Sequence, residues 1–216
     1  MTHPLAFHDF VVLLVGLEWT ILLSAAAFLG SVILGLVVLA LRRSRYAVVR
    51  MLAFVFIHVL QGTPLLGLLL LMFFGLALFG YDVAAWVAAT IGLSVYGSAF
   101  LSDIWDGAVR AVPKGQWEAS RALGLSSGLR FRLVILPQAF TISIPPTVGF
   151  LVQLLKNTSV ASITGVVELS RDAQIVSSST FEFFRVYAAV CGLYFLLCYP
   201  LTWYSRRLET SLKKAR

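Results

Sequence analysis

Residues 11–43 read VVLLVGLEWTILLSAAAFLGSVILGLVVLALRR. From Val11 to Leu41 the stretch is apolar except for Glu18 and a few small polar residues, and it stops abruptly at Arg42-Arg43. A helix rises ~1.5 Å per residue, so about 20 apolar residues cross the hydrocarbon core of a bilayer. This run therefore predicts one membrane span whose first turns lie in the interface. The rest of the chain agrees with that reading. Hydrophobic residues make up 59% of the 216 and charged residues 12%, against about 45–50% and about 25% in soluble domains. Mean hydropathy is +0.90. A soluble globule of this size has too little interior to hide so much apolar surface, and disorder requires the opposite composition. The expected fold class is an all-α integral membrane protein.

Outward from the first run, four more spans are expected. Met51 to Gly80 is interrupted by Gly62-Thr63-Pro64, and Val83 to Leu101 follows a short turn around Tyr81-Asp82. Phe140 to Val167 carries Pro145-Pro146 and Lys156, and Val186 to Tyr204 completes five. Arg42, Arg43, Arg45 and Arg50 separate the first two spans. Arg110, Lys114, Arg121, Arg130 and Arg132 separate the third and fourth, and Arg206, Arg207, Lys213, Lys214 and Arg216 end the chain. Of the other basic residues, Arg171 and Arg185 fall on the opposite side and Lys156 within a span. The positive-inside rule puts the N-terminus outside and the C-terminus in the cytoplasm, as an odd number of spans requires. No basic segment precedes the first run, so it is expected to stay in the mature protein rather than act as a cleaved signal.

The formal net charge of +7 follows from those cytoplasmic loops. Nucleic acid is not an expected partner, because no basic patch is interleaved with exposed aromatics. Cys191 and Cys198 sit in an apolar run and read as small packing residues, with no metal or disulfide pattern. His3, His8 and His58 make no convergent cluster with acids, which argues against a membrane enzyme. Glu18 and Glu168 fall near span ends and no internal repeat is present, which argues against an ion-driven transporter.

The long cytoplasmic segment, Asp103 to Pro137, has helical character. Pro113 and Gly115 punctuate its start, and Gln116 to Leu123 reads as a short helix with Glu118 in its first turn and Gly124 as its stop. A second amphipathic stretch runs from Ser126 toward Pro137. Two readings stand on chemistry alone: a helix resting on the membrane surface, or a knob offered to a cytoplasmic partner.

Candidate residues for a solute path are those a bilayer penalises. Lys156 either faces a cavity or a partner or snorkels to the interface. Gly62-Thr63-Pro64, preceded by Gln61, either forms a discontinuous helix beside a solute site or a packing kink. Asn157, Thr158 and Ser159 either line the path or bond between helices. His58 and Gln61 are close to one turn apart and share a face, although a lone histidine is more often a structural hydrogen-bonder.

Lys114-Gly115-Gln116-Trp117-Glu118-Ala119-Ser120-Arg121-Ala122-Leu123-Gly124, followed by Val134-Ile135-Leu136-Pro137, resembles the EAA signature of bacterial ABC-importer permeases. That signature is Glu-Ala-Ala, a Gly six residues after the Glu, then an aliphatic residue, one intervening position and Leu-Pro. Ser120 is the only departure, small for small. Val112-Pro113, Gln138-Ala139, Gly62-Thr63-Pro64-Leu65 and Leu155-Lys156-Asn157-Thr158-Ser159 are similar to the polar amino-acid branch of that family. The likeness covers about residues 10 to 210, which is taken as one transmembrane domain with its coupling loop at 103–137.

The resemblance implies a type I importer permease of five transmembrane helices in a bacterial inner membrane, translocating an amino acid. The alternative solute is another small polar molecule such as an opine or an organic cation. It implies that Glu118, Ala119, Ser120 and Gly124 couple to an ATPase subunit, two copies of which bind the ATP. A second permease, identical or paralogous, and a periplasmic or lipid-anchored binding protein complete the expected assembly. The chain has no Gly-x-x-x-x-Gly-Lys-[Ser/Thr] phosphate loop, so it is not expected to be an enzyme or to hold a cofactor. Some family positions differ. Gln61 stands where Arg is common, Gly149 where Asn is common, Asn157 where Asp is usual, and Asp106 where a basic residue is frequent. With those polar handles altered, the expectation is that this subunit does not itself hold a charged amino acid midway.

Overall fold

A computed structural model describes residues 6–78, 80–81 and 83–214, with side chains described as far as 212. Among these residues the chain is entirely helical. The helices are α1 (Phe7–Arg42), α2 (Ala47–Gly62), α3 (Leu65–Leu78), α4 (Ala85–Arg110), α5 (Lys114–Ala122), α6 (Ser127–Arg130), α7 (Leu136–Ala161), α8 (Leu169–Thr180) and α9 (Phe183–Lys214). A π-helical turn, Phe131–Ile135, joins α6 to α7. His3, Asp82 and Arg216, used in reading the sequence, lie outside the described residues, as do the side chains of Lys213 and Lys214.

Four helical segments are long and apolar enough to cross a membrane: Phe7–Arg42, Ala85–Arg110, Ser127–Thr164 and Phe183–Leu212. The expected second span differs from a simple crossing. It is the pair α2 and α3, bent by 107° at the break. Pro64 has no N–H to continue the helix and clashes with a helical residue before it, and Thr63 is accordingly extended at φ −94°, ψ 133°. Thr63 Oγ1 donates to the Val59 carbonyl at 2.6 Å, satisfying an acceptor at the broken end. With the bent pair counted as one span the total is five.

Pro145-Pro146 does not break its helix, which runs on from α6 through α7. Ser205 Oγ on α9 donates to the Pro145 carbonyl at 2.8 Å and pins the two helices together there. The fourth span ends earlier than the apolar run suggested. Gly165 adopts φ +88°, closed by its N–H to Ser162 O at 3.1 Å, so Val166 and Val167 belong to the turn leading into α8.

The core forms where α1, α4 and α7 meet. Lipid tails give two apolar helices little reason to separate from solvent, so association depends on close packing and interhelical hydrogen bonds. Along α1 the buried residues Gly16, Thr20, Leu23, Ala27, Ser31, Gly35 and Val38 recur every three or four positions, making one mostly small-residue face. Ser94, Gly97 and Ser98 answer it on α4. A Cβ on Gly97 would collide with the Ser31 side chain, and one on Gly30 with Ser94. Ser94 Oγ lies 3.3 Å from Ala27 O and Ser31 Oγ 3.4 Å from Leu93 O, a reciprocal pair of long contacts across the seam. Leu23, Leu93, Leu101, Phe150 and Leu154 fill the space alongside.

Replacing Gly97 with Leu is expected to destabilise the protein by about 1–3 kcal/mol through overpacking. Gly149→Ala has nothing within 4 Å of its new methyl and serves as the comparison. Thermal unfolding in detergent distinguishes them, and equal melting temperatures for the two variants would refute the tight seam.

Candidate functional site

Two groups of residues carry the candidate chemistry: the loop from α4 to α7, and the polar positions on α2, α3 and α7. Pro113 precedes α5 with φ −53° and ψ 138°, consistent with its ring constraint. The end of α5 is built by Gly124. At φ +72° it lets its own N–H reach Arg121 O at 3.0 Å and the N–H of Leu125 reach Ser120 O at 3.2 Å. Those two bonds form a Schellman stop, and the left-handed residue it needs favours glycine.

The helix begins two residues earlier than its sequence suggested, so Glu118 lies beyond the first turn, where dipole stabilisation is weak. Glu118 and Ala119 face outward with Ala122. Leu123, at the helix end, is 79% exposed, an apolar contribution to this surface that the motif did not point to. Ser120 faces the other way. It is 2% exposed, with Oγ donating to Trp117 O at 3.1 Å. Its small size seats the helix on the membrane domain, so it sits behind the exposed face rather than on it. Trp117 packs beside it on Val109, Val112, Ile135 and Ala139.

Behind this patch is a charge cluster that the sequence did not assemble. Arg42 meets Asp103 at 2.7 Å and Asp106 at 3.4 Å, Arg43 meets Asp106 at 2.9 Å, and Arg110 meets Asp106 at 2.9 Å. Asp106, unusual in the family comparison of residues, is thus the buried shared counter-ion of three guanidiniums. The Arg43 guanidinium also lies 5.7 Å from the Phe131 ring centroid. The end of α1 and the loop that carries α5 are therefore at the same end of the bundle.

The polar positions are only partly brought together. Gln153 and Lys156 are exposed on one face of α7, on which Pro146 and Gly149 are also exposed. Gln153 Nε2 donates to Asn157 Oδ1 at 3.1 Å. Lys156 has no carboxylate within ion-pair distance among the described residues. Thr158 is fully buried and bonds to Leu155 O at 2.7 Å, while Ser159 bonds to Lys156 O at 2.7 Å. The Ser159 hydroxyl is used within its own helix, whereas Thr158 also hydrogen-bonds with Tyr194 on α9. Gln61, Gly62 and Pro64 are exposed and Thr63 half-buried. Among the described residues no hydrogen bond joins this bend to α7. His58 sits against Phe54, its Nδ1 2.9 Å from Phe54 O, a structural pairing rather than a shared site with Gln61.

Glu168, which the sequence placed only near a span end, is the polar group that the fold makes central. It is fully buried at the start of α8, a helix that no apolar run announced. Oε1 accepts from the N–H groups of Ser170 at 2.8 Å and Arg171 at 3.0 Å. Oε2 lies 3.1 Å from Thr20 Oγ1 on α1 and accepts from Tyr194 Oη on α9 at 3.1 Å. Thr20 Oγ1 in turn accepts from the Leu169 N–H at 3.1 Å. One carboxyl thus caps α8 and ties it to two spans. The signal available in the sequence was an acidic residue three positions after Gly165, ahead of Leu169-Ser170-Arg171. Burial pushes the Glu168 carboxyl up from its ordinary range, and the bonds from Arg171, Thr20, Tyr194 and Ser170 pull it partly back.

Glu168→Ala is expected to lower stability by about 1–3 kcal/mol, from the lost cap and the lost carboxylate bonds of the Thr20 and Tyr194 hydroxyls. Glu168→Gln retains a cap acceptor and isolates the proton. The raised carboxyl favours the folded state most fully below the ordinary glutamate pKa, and that contribution is lost as pH rises through the raised value. Melting temperatures across about pH 4–8 should therefore fall in the wild type relative to Glu168→Gln as pH rises. A constant difference would exclude a raised Glu168.

Residues 27–214 match the family described as binding-protein-dependent transport system inner membrane component. YckA of Bacillus subtilis strain 168, a probable amino-acid ABC transporter permease protein, is 33% identical over 194 residues, covering 90% of this chain and 86% of YckA. The glutamine transport system permease protein GlnP of Escherichia coli K12 is 30% identical over 203 residues, covering 93% of each. The crystal structure of an amino acid ABC transporter with histidines superposes with a TM-score of 0.89 at 30% identity, covering 98% of this chain and 100% of that one.

Proposed function

This chain belongs to the binding-protein-dependent transport system inner membrane component family, and on that premise we propose that it is the permease subunit of an ATP-driven amino-acid importer. The observation that carries this reading is the exposed α5 face, with Glu118 and Ala119 turned outward and Leu123 exposed beside the left-handed Gly124. It is an apolar and acidic knob on a loop otherwise seated firmly in the bundle. Two copies of an ATPase subunit bind ATP and receive this knob and its counterpart on a second permease, identical or paralogous. A binding protein outside, periplasmic or lipid-anchored, delivers the amino acid.

The orientation is N-terminus outside and C-terminus cytoplasmic. Lys and Arg set that direction, and the ion pairs between Arg42, Arg43 and α4 support it by holding the basic α1–α2 turn beside the docking loop. Movement of the docked α5 is transmitted through Trp117 and the Val109–Ile135 cluster into α4 and α7, which are the central spans. The 107° bend at Gly62-Thr63-Pro64 and the exposed α7 face of Gln153 and Lys156 supply the wall of the solute path. An ammonium facing hydrocarbon is costly, so that face meets the second permease or water rather than lipid. Asn157 shares the path through its bond to Gln153, whereas Thr158 and Ser159 hold the helix that carries it.

Co-purification tests the central claim directly: the tagged chain should bring down an ATPase subunit. Glu118→Lys should reduce ATP-driven amino-acid uptake at least about tenfold, equivalent to about 1.4 kcal/mol, without loss of folded protein. Undiminished uptake in that variant, or no ATPase in the purified complex, would overturn it. Lys156→Ala should slow uptake while leaving solute preference unchanged, because selection rests with the binding protein or the second permease. A changed preference, read by competition among radiolabelled amino acids, would place a selective site in this subunit instead.

A further inference from the structure

Between α1 and α7 lies an apolar groove of about 550 Å³, floored by Trp105 and Val109 of α4. It is within the size range of ligand cavities, about 300–1,000 Å³. Leu36 and Ala40 form its α1 wall and Phe140 part of its α7 wall, with Arg43 at its end. In the other half of the bundle α8 packs against both α1 and α9, its Leu169, Ala173 and Val176 against Leu13 and Val190, and the cleft left between α1 and α9 is smaller, about 300 Å³. Among the described residues nothing of this chain fills the groove near Arg43. An empty apolar cleft forfeits dispersion contacts on every wall, so an apolar occupant is favoured there.

We propose that this groove is a phospholipid site for an anionic lipid of the cytoplasmic leaflet, with an acyl chain along Trp105 and the phosphate at Arg43. The leaflet follows from the orientation proposed above; the lipid chemistry follows from the groove alone. Its lining is almost wholly apolar, which suits a chain and not a polar solute. Its mouth is cationic. Arg43 directs Nε and Nη2 to Asp106 at 3.2 and 2.9 Å, which leaves Nη1 for a phosphate oxygen. The surrounding cluster sets three guanidiniums, from Arg42, Arg43 and Arg110, against only the carboxylates of Asp103 and Asp106. Basic pockets between spans at the cytoplasmic face recognise anionic headgroups by this combination. Thr147 Oγ1 accepts from Trp105 Nε1 at 3.1 Å, so the indole's polar edge is satisfied and its rings remain for the chain to lie against.

The test is native mass spectrometry of the purified permease–ATPase complex after exchange into mixed micelles of phosphatidylglycerol or phosphatidylcholine. The expected result is retained phosphatidylglycerol, one per copy of this chain, at about tenfold over phosphatidylcholine. Ala40→Trp fills the groove from an exposed position and should abolish retention while the complex still assembles. Leu36→Trp is a second filling variant, also at an exposed position, in case the first misfolds. No retained lipid in the wild type, equal retention of the two lipids, or retention undiminished in an assembled filling variant would overturn the proposal. So would an Ala40→Cys variant that forms a disulfide between two copies of this chain, because a second copy would then occupy the groove.

Discussion

The structure depends on how closely α1 can approach α4. A bilayer supplies little hydrophobic force between helices, so this contact is won by shape. Gly30 admits Ser94, Ser31 enters the space left by Gly97, and Gly35 sits on Leu101 and Ser98. A β-branched or large residue at these positions would push the axes apart and open the core in which Leu23, Leu93 and Leu154 are buried. With the α1–α4 seam closed, α4 also offers surfaces to α3 and α7, and α7 in turn receives α9. The bundle is therefore organised around one central span rather than around a symmetrical arrangement.

Two polar clamps secure α1 at different heights, and they differ in kind. Near its end, Arg42 and Arg43 share Asp103 and Asp106 with the end of α4, next to the loop carrying α5. Ionic pairing suits that place, because the charges reach the interface and Asp103 remains 46% exposed at its side chain. Nearer its start, Thr20 meets the fully buried Glu168, whose contacts are neutral donors: two backbone N–H groups and two hydroxyls. Among the described residues no cation pairs with it, and burial accordingly raises the carboxyl. The first clamp joins the spans to the loop that carries α5. The second joins α8 to α1 and α9, so that the short helix moves with the spans that flank it.

Function enters through the contrast between what is seated and what is exposed in α5. Trp117 and Ser120 face the bundle, and Glu118 and Ala119 face away. In the importer proposed above, a helix held on one side and free on the other would pass a push from a bound ATPase subunit into α4 and α7 with little internal yielding. The π-helical turn at Phe131–Ile135 lies on the same route, where the loop re-enters the bundle. Such turns depart from regular α-helix and recur at functional positions.

The membrane class and the apolar runs were legible because hydropathy acts locally: a run of about 20 apolar residues has few ways to be placed in water or lipid. Helix α5 and its glycine stop were legible because turn chemistry is also local, and Gly124 does adopt the left-handed conformation its position demands. Pro64 announced a break but not its angle, since a proline removes one bond and leaves the direction to whatever packs nearby. Ser120 read as part of a docking motif, yet its face depends on where the helix lies against Trp117 and Ile135. Helix α8 escaped notice because it is a short helix with little apolar character whose stability comes from Glu168, Thr20 and Tyr194, residues far apart in the chain. Asp106 looked merely unusual until the fold set Arg42, Arg43 and Arg110 around it. Sequence alone thus determined which segments are apolar enough to enter the membrane and where helix α5 stops, because composition and turn geometry are properties of neighbouring residues. Only tertiary structure decided which polar groups are paired, buried or left exposed, because those outcomes depend on distances between residues that the chain order does not contain.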